Sequence, residues 1–299
     1  MQISVILPSY NSEDQLPLTL ASLAAQDFDG DFEIWLIDCS EGDSVKRIAT
    51  NVPRVKFHHE SARFNPGHGR NLGARNAHGQ LLVFLDTDVR LRKDALTEAW
   101  RHFQRGNRIF GGALELALDP RPTLASYLEH FFFNHESQKG RPECKRRNLS
   151  SALMLFERKL FLESGGFKDI PRMQDTELTE RLVRDGHALT FCPRVVGYQV
   201  QDSPLSKVFK KILINGKNLY YIRYRDFSPA KKTAFFFLLP LVSAMKTVRI
   251  IGRHLRYQDM RGRGMVLCLT PLLVAGGGSW MAGLYQSLLF DRGISAHRD

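Results

Sequence analysis

The chain holds 299 residues, 43% hydrophobic and 24% charged, a balance that excludes wholesale disorder and suits one large domain or a domain with an appendage. Its four cysteines, Cys39, Cys144, Cys192 and Cys268, form no CxxC pair, which excludes a zinc ribbon or a disulfide scaffold and fits buried thiols in a reducing cytosol. The formal net charge of +11 is unevenly placed: residues 204–263 carry 14 Lys and Arg against only Asp226 and Asp259, whereas residues 1–203 are near neutral.

Residues 3–7 form an apolar run with no basic stretch before it and read as a first strand, not a signal peptide. A helix is expected over 13–26, strands over 32–37 and 55–58, a helix over 70–78 and a strand over 81–85. Strands alternating with helices predict an α/β fold with a mostly parallel, doubly wound sheet. Ligands bind such sheets outside the carboxyl ends of the strands. Those ends carry Pro8-Ser9-Tyr10-Asn11, Asp38-Cys39-Ser40 and Asp86-Thr87-Asp88. His58-His59-Glu60 lacks the spacing of a zinc site and reads as a strand end. Trp35, Trp100 and the three phenylalanines 131–133 read as core, and Lys145-Arg146-Arg147 as a solvated loop.

Two carboxylates one residue apart, just past an apolar strand, suit a hard cation such as Mg²⁺ or Mn²⁺ that keeps positions open for phosphate oxygens. Taken alone, Asp86 and Asp88 fit a solvated turn equally well. In order along the chain, however, stand residues 3–11, Asp38, Arg70-Asn71-x-Gly73, Asp86-x-Asp88, Gly165-Gly166-Phe167 and Gln174-Asp175-Thr176-Glu177-Leu178-x-x-Arg181. Over roughly residues 1–203 this series resembles the family 2 glycosyltransferases of the GT-A fold, in their membrane-associated, bacterial-type form.

The resemblance implies roles. Pro8, Tyr10 and Asn11 match the first nucleotide-contacting segment, and Asp38 the acid that accepts the imide N–H of uracil. Arg70 and Asn71 match the motif near the donor's phosphates and sugar. Asp86 and Asp88 match the metal motif, with Asp88 the direct ligand, and Asp175 matches the general base. One-step inversion needs such a base on the acceptor side, because a hydroxyl is a poor nucleophile until its proton is taken. Two departures stand out. Gln174 occupies a position where the family commonly has Glu, which removes a charge beside Asp175 and lowers its pKa. The segment Gly197-Tyr198-Gln199-Val200-Gln201-Asp202 lacks the His that often supplies a metal or phosphate contact there.

Beyond residue 203 the pattern changes, so a catalytic domain over 1–203 and a docking region over 204–299 are expected. Leu205, Val208, Phe209, Ile212 and Leu213 recur at helical spacing among Lys207, Lys210, Lys211 and Lys217, followed by Tyr220, Tyr221, Arg223, Tyr224 and Arg225. A basic amphipathic helix with aromatic residues suits an anionic membrane surface, and the apolar stretches beside the charge argue against nucleic acid. Residues 233–245 are too short to span a bilayer. Residues 264–290 are long enough, but Pro271 and Gly276-Gly277-Gly278 make two half-helices in a re-entrant hairpin an equal alternative. The expected protein is an inverting glycosyltransferase on the cytoplasmic membrane, its catalytic domain facing the cytoplasm. It would use a divalent metal, a UDP-linked sugar and a glycan or lipid-linked acceptor in envelope synthesis. Two rivals are a non-catalytic membrane-docked nucleotide-binding scaffold and a sugar-nucleotide nucleotidyltransferase; Ser9–Gln15 lacks the Gly- and Lys/Arg-rich signature of the latter.

Overall fold

In the first strand alternate residues feed opposite cores: Ile3, Val5 and Leu7 join one hydrophobic cluster and Ile6 another. A strand buried on both faces reads as a continuous apolar run, which is why ISVIL was legible without alternation. The computed structural model describes residues 1–290 and 293–294. Chain order begins β1 (Ile3–Ser9), α1 (Leu16–Ala24), β2 (Phe32–Asp38), α2 (Ser44–Thr50), β3 (Val55–His59), α3 (Pro66–Asn76), β4 (Leu81–Leu85), β5 (Val89–Leu91), α4 (Ala95–Gln104) and β6 (Ile109–Leu116). It continues with α5 (Leu124–Asn134), β7 (Cys144–Arg146), β8 (Leu153–Glu157), α6 (Arg158–Glu163), α7 (Gln174–Arg184), β9 (Leu189–Gln199), α8 (Leu205–Arg223), α9 (Pro229–Tyr257) and α10 (Met260–Phe290).

Two compact units divide the chain. The first comprises 1–115, 141–170 and 174–199. Its sheet has the order β3-β2-β1-β4-β8-β6-β9-β5, with β7 on β9. The parallel character expected from the sequence holds for β3, β2, β1 and β4; β8 pairs antiparallel with β4, and β5 and β7 pair antiparallel with β9. Helices α1, α2 and α4 cover one face, and α3, α6 and α7 the other. Lys145 and Arg146 lie in strand β7, not in a loop, because β9 supplies a partner edge. Trp35, Trp100 and Phe131–Phe133 pack into or against cores.

The second unit, 116–140, 171–173 and 200–299, is helical. Helix α8 corrects the sequence reading. Its Val208, Ile212, Leu219 and Tyr220 are buried in a cluster with Phe132, Trp280 and Leu284, so the stripe expected on a membrane is core. Tyr224 likewise stacks on Phe235 at 4.4 Å. Helix α10 runs unbroken through Pro271 and its glycines. A Cβ at Gly283 would lie 2.0 Å from the Leu213 carbonyl oxygen, and one at Gly277 2.3 Å from the Thr247 hydroxyl. Those glycines are notches for neighbouring helices. By length and composition, α9 and α10 are both long and apolar enough to cross a membrane. They expose Phe237, Leu238, Leu241, Met245 and Val248 on α9 and Leu267, Val274 and Leu289 on α10. Cys268 is also exposed, unlike the expected buried thiols.

At the amino-terminal side of the sheet, Glu33 is 2% exposed. Its Oε1 accepts from Ser4 Oγ and the His78 amide, both at 2.7 Å, and Lys56 Nζ lies 2.6 Å from Oε2. Burial pushes its carboxyl up, but the Lys56, Ser4 and His78 contacts outweigh that and hold it at about 2. A depressed carboxyl contributes stability above its ordinary value of 4.5, lost as pH falls toward 2. Glu33→Gln is therefore expected to lower stability by about 1–3 kcal/mol at neutral pH. The gap to the parent should narrow below pH 4.5 in urea unfolding; parallel pH curves would refute the assignment.

Candidate active site

Helix α3 starts earlier than the sequence suggested because Asn65 caps it: its Oδ1 accepts from the His68 amide at 3.0 Å, and Pro66 occupies the first turn. The helix carries Arg70, 3% exposed, whose guanidinium is ion-paired with Asp86 and lies 5.6 Å from the centre of the Phe167 ring. Asn71 grips the backbone of Phe167 from both ends of its amide, donating to the carbonyl at 2.7 Å and accepting from the N–H at 2.9 Å. Arg181 holds the same turn, donating to the carbonyls of Ser164 and Gly166. Gly166 needs to be glycine twice over: its φ is +66°, and a Cβ would come 2.4 Å from Asn71 Oδ1. Asn71 thus serves the Gly165-Gly166-Phe167 turn.

The antiparallel register of β4 on β8 brings the base candidate to the acidic pair. Leu85 lies opposite Leu153, and the Asp86 amide donates to the Ala152 carbonyl. One residue away, the Ser151 amide donates to Asp175 Oδ2 at 3.4 Å, while the Thr176 amide donates to Oδ1 at 2.7 Å. Burial pushes the Asp175 carboxyl up; these two amides and the Arg70 charge oppose the rise, and the Asp86 charge adds to it. Arg70, Asp86 and Asp175, distant in sequence, therefore share one electrostatic neighbourhood.

At the β1 end, Tyr10 lies under the Arg63 guanidinium, 4.2 Å from its ring centre, and the Asn11 amide donates to Ser40 Oγ at 2.7 Å. Pro8 is half-buried beside α3, where a Cβ at Gly69 would meet it at 3.1 Å. Asp38 is only 1% exposed. Its Oδ1 accepts from Ser9 Oγ and Ser40 Oγ at 2.7 and 2.6 Å, and Oδ2 accepts from the Ser40 amide and faces His59 Nδ1 at 3.3 Å. The carboxylate thus organises the ends of β1, β2 and β3. The Asp86-Thr87-Asp88 turn is pinned to α1 by Thr19, whose hydroxyl donates to the Thr87 carbonyl. Gln199, at the end of β9, reaches Asp88 with its amide nitrogen 3.4 Å from each oxygen. The sequence reading missed Gln199 because it looked for a His in that segment; the pairing of Val89 with Gln199 makes the contact.

Among the described residues, no cluster of three or more His, Cys, Asp or Glu is placed to hold a metal ion. Asp86 and Asp88 still fit one: they offer hard oxygen donors at a strand end, suiting a cation that completes its shell with phosphate and water. Asp86 is ion-paired with Arg70, and Asp88 is met by Gln199.

Residues 4–164 match the family described as "Glycosyl transferase family 2". The chain belongs to that family. Over 104 residues it is 33% identical to the poly(ribitol-phosphate) beta-N-acetylglucosaminyltransferase TarS of Staphylococcus aureus, covering 33% of this chain and 18% of TarS. Over 119 residues it is 30% identical to the GalNAc(5)-diNAcBac-PP-undecaprenol beta-1,3-glucosyltransferase of Campylobacter jejuni, covering 38% of each. The matches thus span less than two fifths of these relatives' own length. Among solved structures, the mannosyltransferase PcManGT of Pyrobaculum calidifontis, in complex with GDP-Man and Mn²⁺, superposes with a TM-score of 0.63 at 18% identity, over 98% of this chain and 88% of that one. TarS 1–349 in complex with UDP-GlcNAc gives 0.53 at 18% identity, over 98% and 92%. At such identities the likeness establishes the GT-A fold.

In this glycosyl transferase family 2 member, the Phe167 clamp has a direct test. Asn71→Asp keeps the acceptor for the Phe167 amide but sets a carboxylate oxygen against its carbonyl. The expected loss is about 1–3 kcal/mol in urea unfolding, and an unchanged midpoint would refute the clamp.

Proposed function

We propose that the protein is a metal-dependent inverting glycosyltransferase that moves a sugar from a nucleotide diphosphate donor, UDP-linked, to an acceptor hydroxyl or phosphate. The observation that carries this is the Ala152–Ser151 strap, which ties Asp86 to one residue and Asp175 to the next. Such a strap would set a base beside, but apart from, the donor's phosphate site. Pro8, Tyr10 and Asn11 would line the nucleotide, with Asp38 fixing the floor that meets the base. Arg70 would face the diphosphate and Asn71 would hold the turn beside it. Asp86 and Asp88 would hold the divalent cation, Mg²⁺ or Mn²⁺, which when bound supplies positive charge against the diphosphate oxygens. Asp175 takes the acceptor proton as the acceptor oxygen bonds to the anomeric carbon. The carbon–phosphate-oxygen bond breaks on the opposite face, and the nucleoside diphosphate leaves with that electron pair.

Because burial raises the Asp175 carboxyl, and a base must be ionised to act, activity is expected to climb with pH through a limb above the ordinary aspartate value of 3.8. Asp175→Asn should abolish transfer from a radiolabelled nucleotide sugar while calorimetric binding of UDP with Mn²⁺ persists. Near-parental turnover in that variant would remove Asp175 from the mechanism. Absence of Mn²⁺-dependent UDP binding in the parent would favour the scaffold reading instead.

The acceptor is proposed to be lipid-linked, in envelope glycan synthesis, with the protein docked on the cytoplasmic face of the membrane. The undecaprenol-linked acceptor in the name of the Campylobacter relative supports this, as do the apolar residues exposed along α9 and α10. Phe237 is 74% and Val248 69% exposed on α9, a surface that water disfavours. Lys231, Lys232, Arg249 and Arg256 flank it on the same helix and suit anionic headgroups. Leu241→Glu combined with Val248→Glu is expected to cut cosedimentation with anionic phospholipid vesicles at least tenfold. Transfer to a water-soluble acceptor should stay intact. Equal sedimentation of parent and variant would refute the docking face.

A further inference from the structure

Gln174 stands where the family resemblance leads one to expect an acid, and its surroundings explain the amide. The side chain is 6% exposed. Its Nε2 donates to the Ile170 carbonyl and to Asn65 Oδ1, both at 2.6 Å. Neither partner can reverse its role. A backbone carbonyl only accepts, and Asn65 Oδ1 is fixed as an acceptor by the His68 amide, a donor. The nitrogen at 174 therefore faces two oxygens, and of the side chains of this size only an amide supplies two protons there.

We infer that Gln174 is a positioning residue, resting on the assignment of Asp175 as the base: its amide locks the first residue of α7 to the N-cap of α3. The lock joins the helix that carries Asp175 to the helix that carries Arg70. Three further observations support it. A Cβ at Gly67, in the first turn of α3, would come 3.0 Å from Gln174 Cδ and 3.2 Å from Asn65 Oδ1, so the two helix starts touch. Met173, immediately before Gln174, has φ of +64°, a left-handed conformation that a non-glycine residue keeps only when its surroundings hold it. Asn65 is itself steadied by donating to Asp169.

The charged groups around this junction are Asp169, bound to Asn65; Asp175, next in the chain; Arg172, two residues before; His68, one turn into α3; and Lys168 and Arg181, both engaged with Glu177. An acid at 174 has no proton to offer either oxygen once ionised and only one when protonated, so it would restore at most one of the two bonds, and only while protonated.

Gln174→Glu is the decisive variant, because two roles predict opposite slopes. If residue 174 acted only through its charge on Asp175, the introduced carboxylate would raise the base's pKa, and the kcat ratio of variant to parent would fall as pH falls. Under the positioning role the ratio rises as pH falls, from about one tenth or less at pH 8 toward partial recovery in acid. The Kd for UDP with Mn²⁺ should move less than twofold. Gln174→Met, which supplies no proton at any pH, should lose kcat by a similar factor without acid recovery. A flat or falling ratio for Gln174→Glu, or parental kcat in Gln174→Met, overturns the proposal. Should Gln174→Glu be insoluble, Gln174→Met alone decides: lowered kcat with intact UDP binding supports the lock, and parental kcat refutes it. Asp175→Asn in the same assay separates the premises, since near-parental turnover there removes the base whatever the variants at 174 do.

Discussion

A Cβ at Gly73 would come within 2.5 Å of Ile6 Cγ2, a stiff branched side chain buried in β1, so α3 can lie at its present height on that strand only with glycine there. The polar geometry of the site follows from that close approach. From one helix, Asn65 meets Gln174 at the first turn, Arg70 meets Asp86 across the sheet edge, and Asn71 holds the Phe167 turn. Phe167 in turn packs against Phe84 and Phe161, with ring centres 5.3 and 5.6 Å away, which anchors the turn in the core. A lift of α3 by even one methyl group would loosen all three contacts together. Packed interiors transmit such displacements because they lack free volume to absorb them.

The consequence for chemistry is electrostatic. Arg70 is almost wholly buried, and its charge is balanced by Asp86 with Asp175 nearby. A buried guanidinium is costly unless paired, so the Asp86 ion pair is what lets Arg70 sit there charged. Removing Asp86 would leave that guanidinium buried without its ion-pair partner.

Strand ends were legible in the sequence because buried strands are short apolar runs and the residues following them are polar. Ile3–Ser9, Phe32–Asp38 and Leu81–Leu85 stand out on that basis alone. The start of α3 was hidden because Gly67, His68 and Gly69 disguise a helix, although Asn65-Pro66 was a usable capping signal. Helix α8 misled for a different reason. Periodicity says that a face is apolar, not what covers it, and here α10 covers it through close approaches such as a Gly216 Cβ position 2.1 Å from the Trp280 carbonyl oxygen. Gln199 and the partners of Gln174 were invisible because strand register and tertiary contact, not local pattern, create them.

The basic excess beyond residue 203 acquires a shape in the helical unit. Ser243 donates to the Gly277 carbonyl and Tyr285 to that of Phe236, so α9 and α10 run antiparallel. The uncharged stretch of α9, residues 233–245, thereby lies beside the carboxyl half of α10, as does the Lys246 ammonium, 4.5 Å from the Trp280 ring centre, while Arg249, Arg253 and Arg256 lie farther toward its amino half. Thirteen uncharged residues give about 20 Å of helix at 1.5 Å per residue. The hydrocarbon core of a bilayer is about 30 Å thick. The uncharged stretch alone falls short of that thickness, while Lys246 is held over the Phe132 and Trp280 rings and Arg253 is paired with Glu136 at 2.5 Å. Charge and apolar surface are thus separated along α9, a segregation that the net charge of the chain does not reveal.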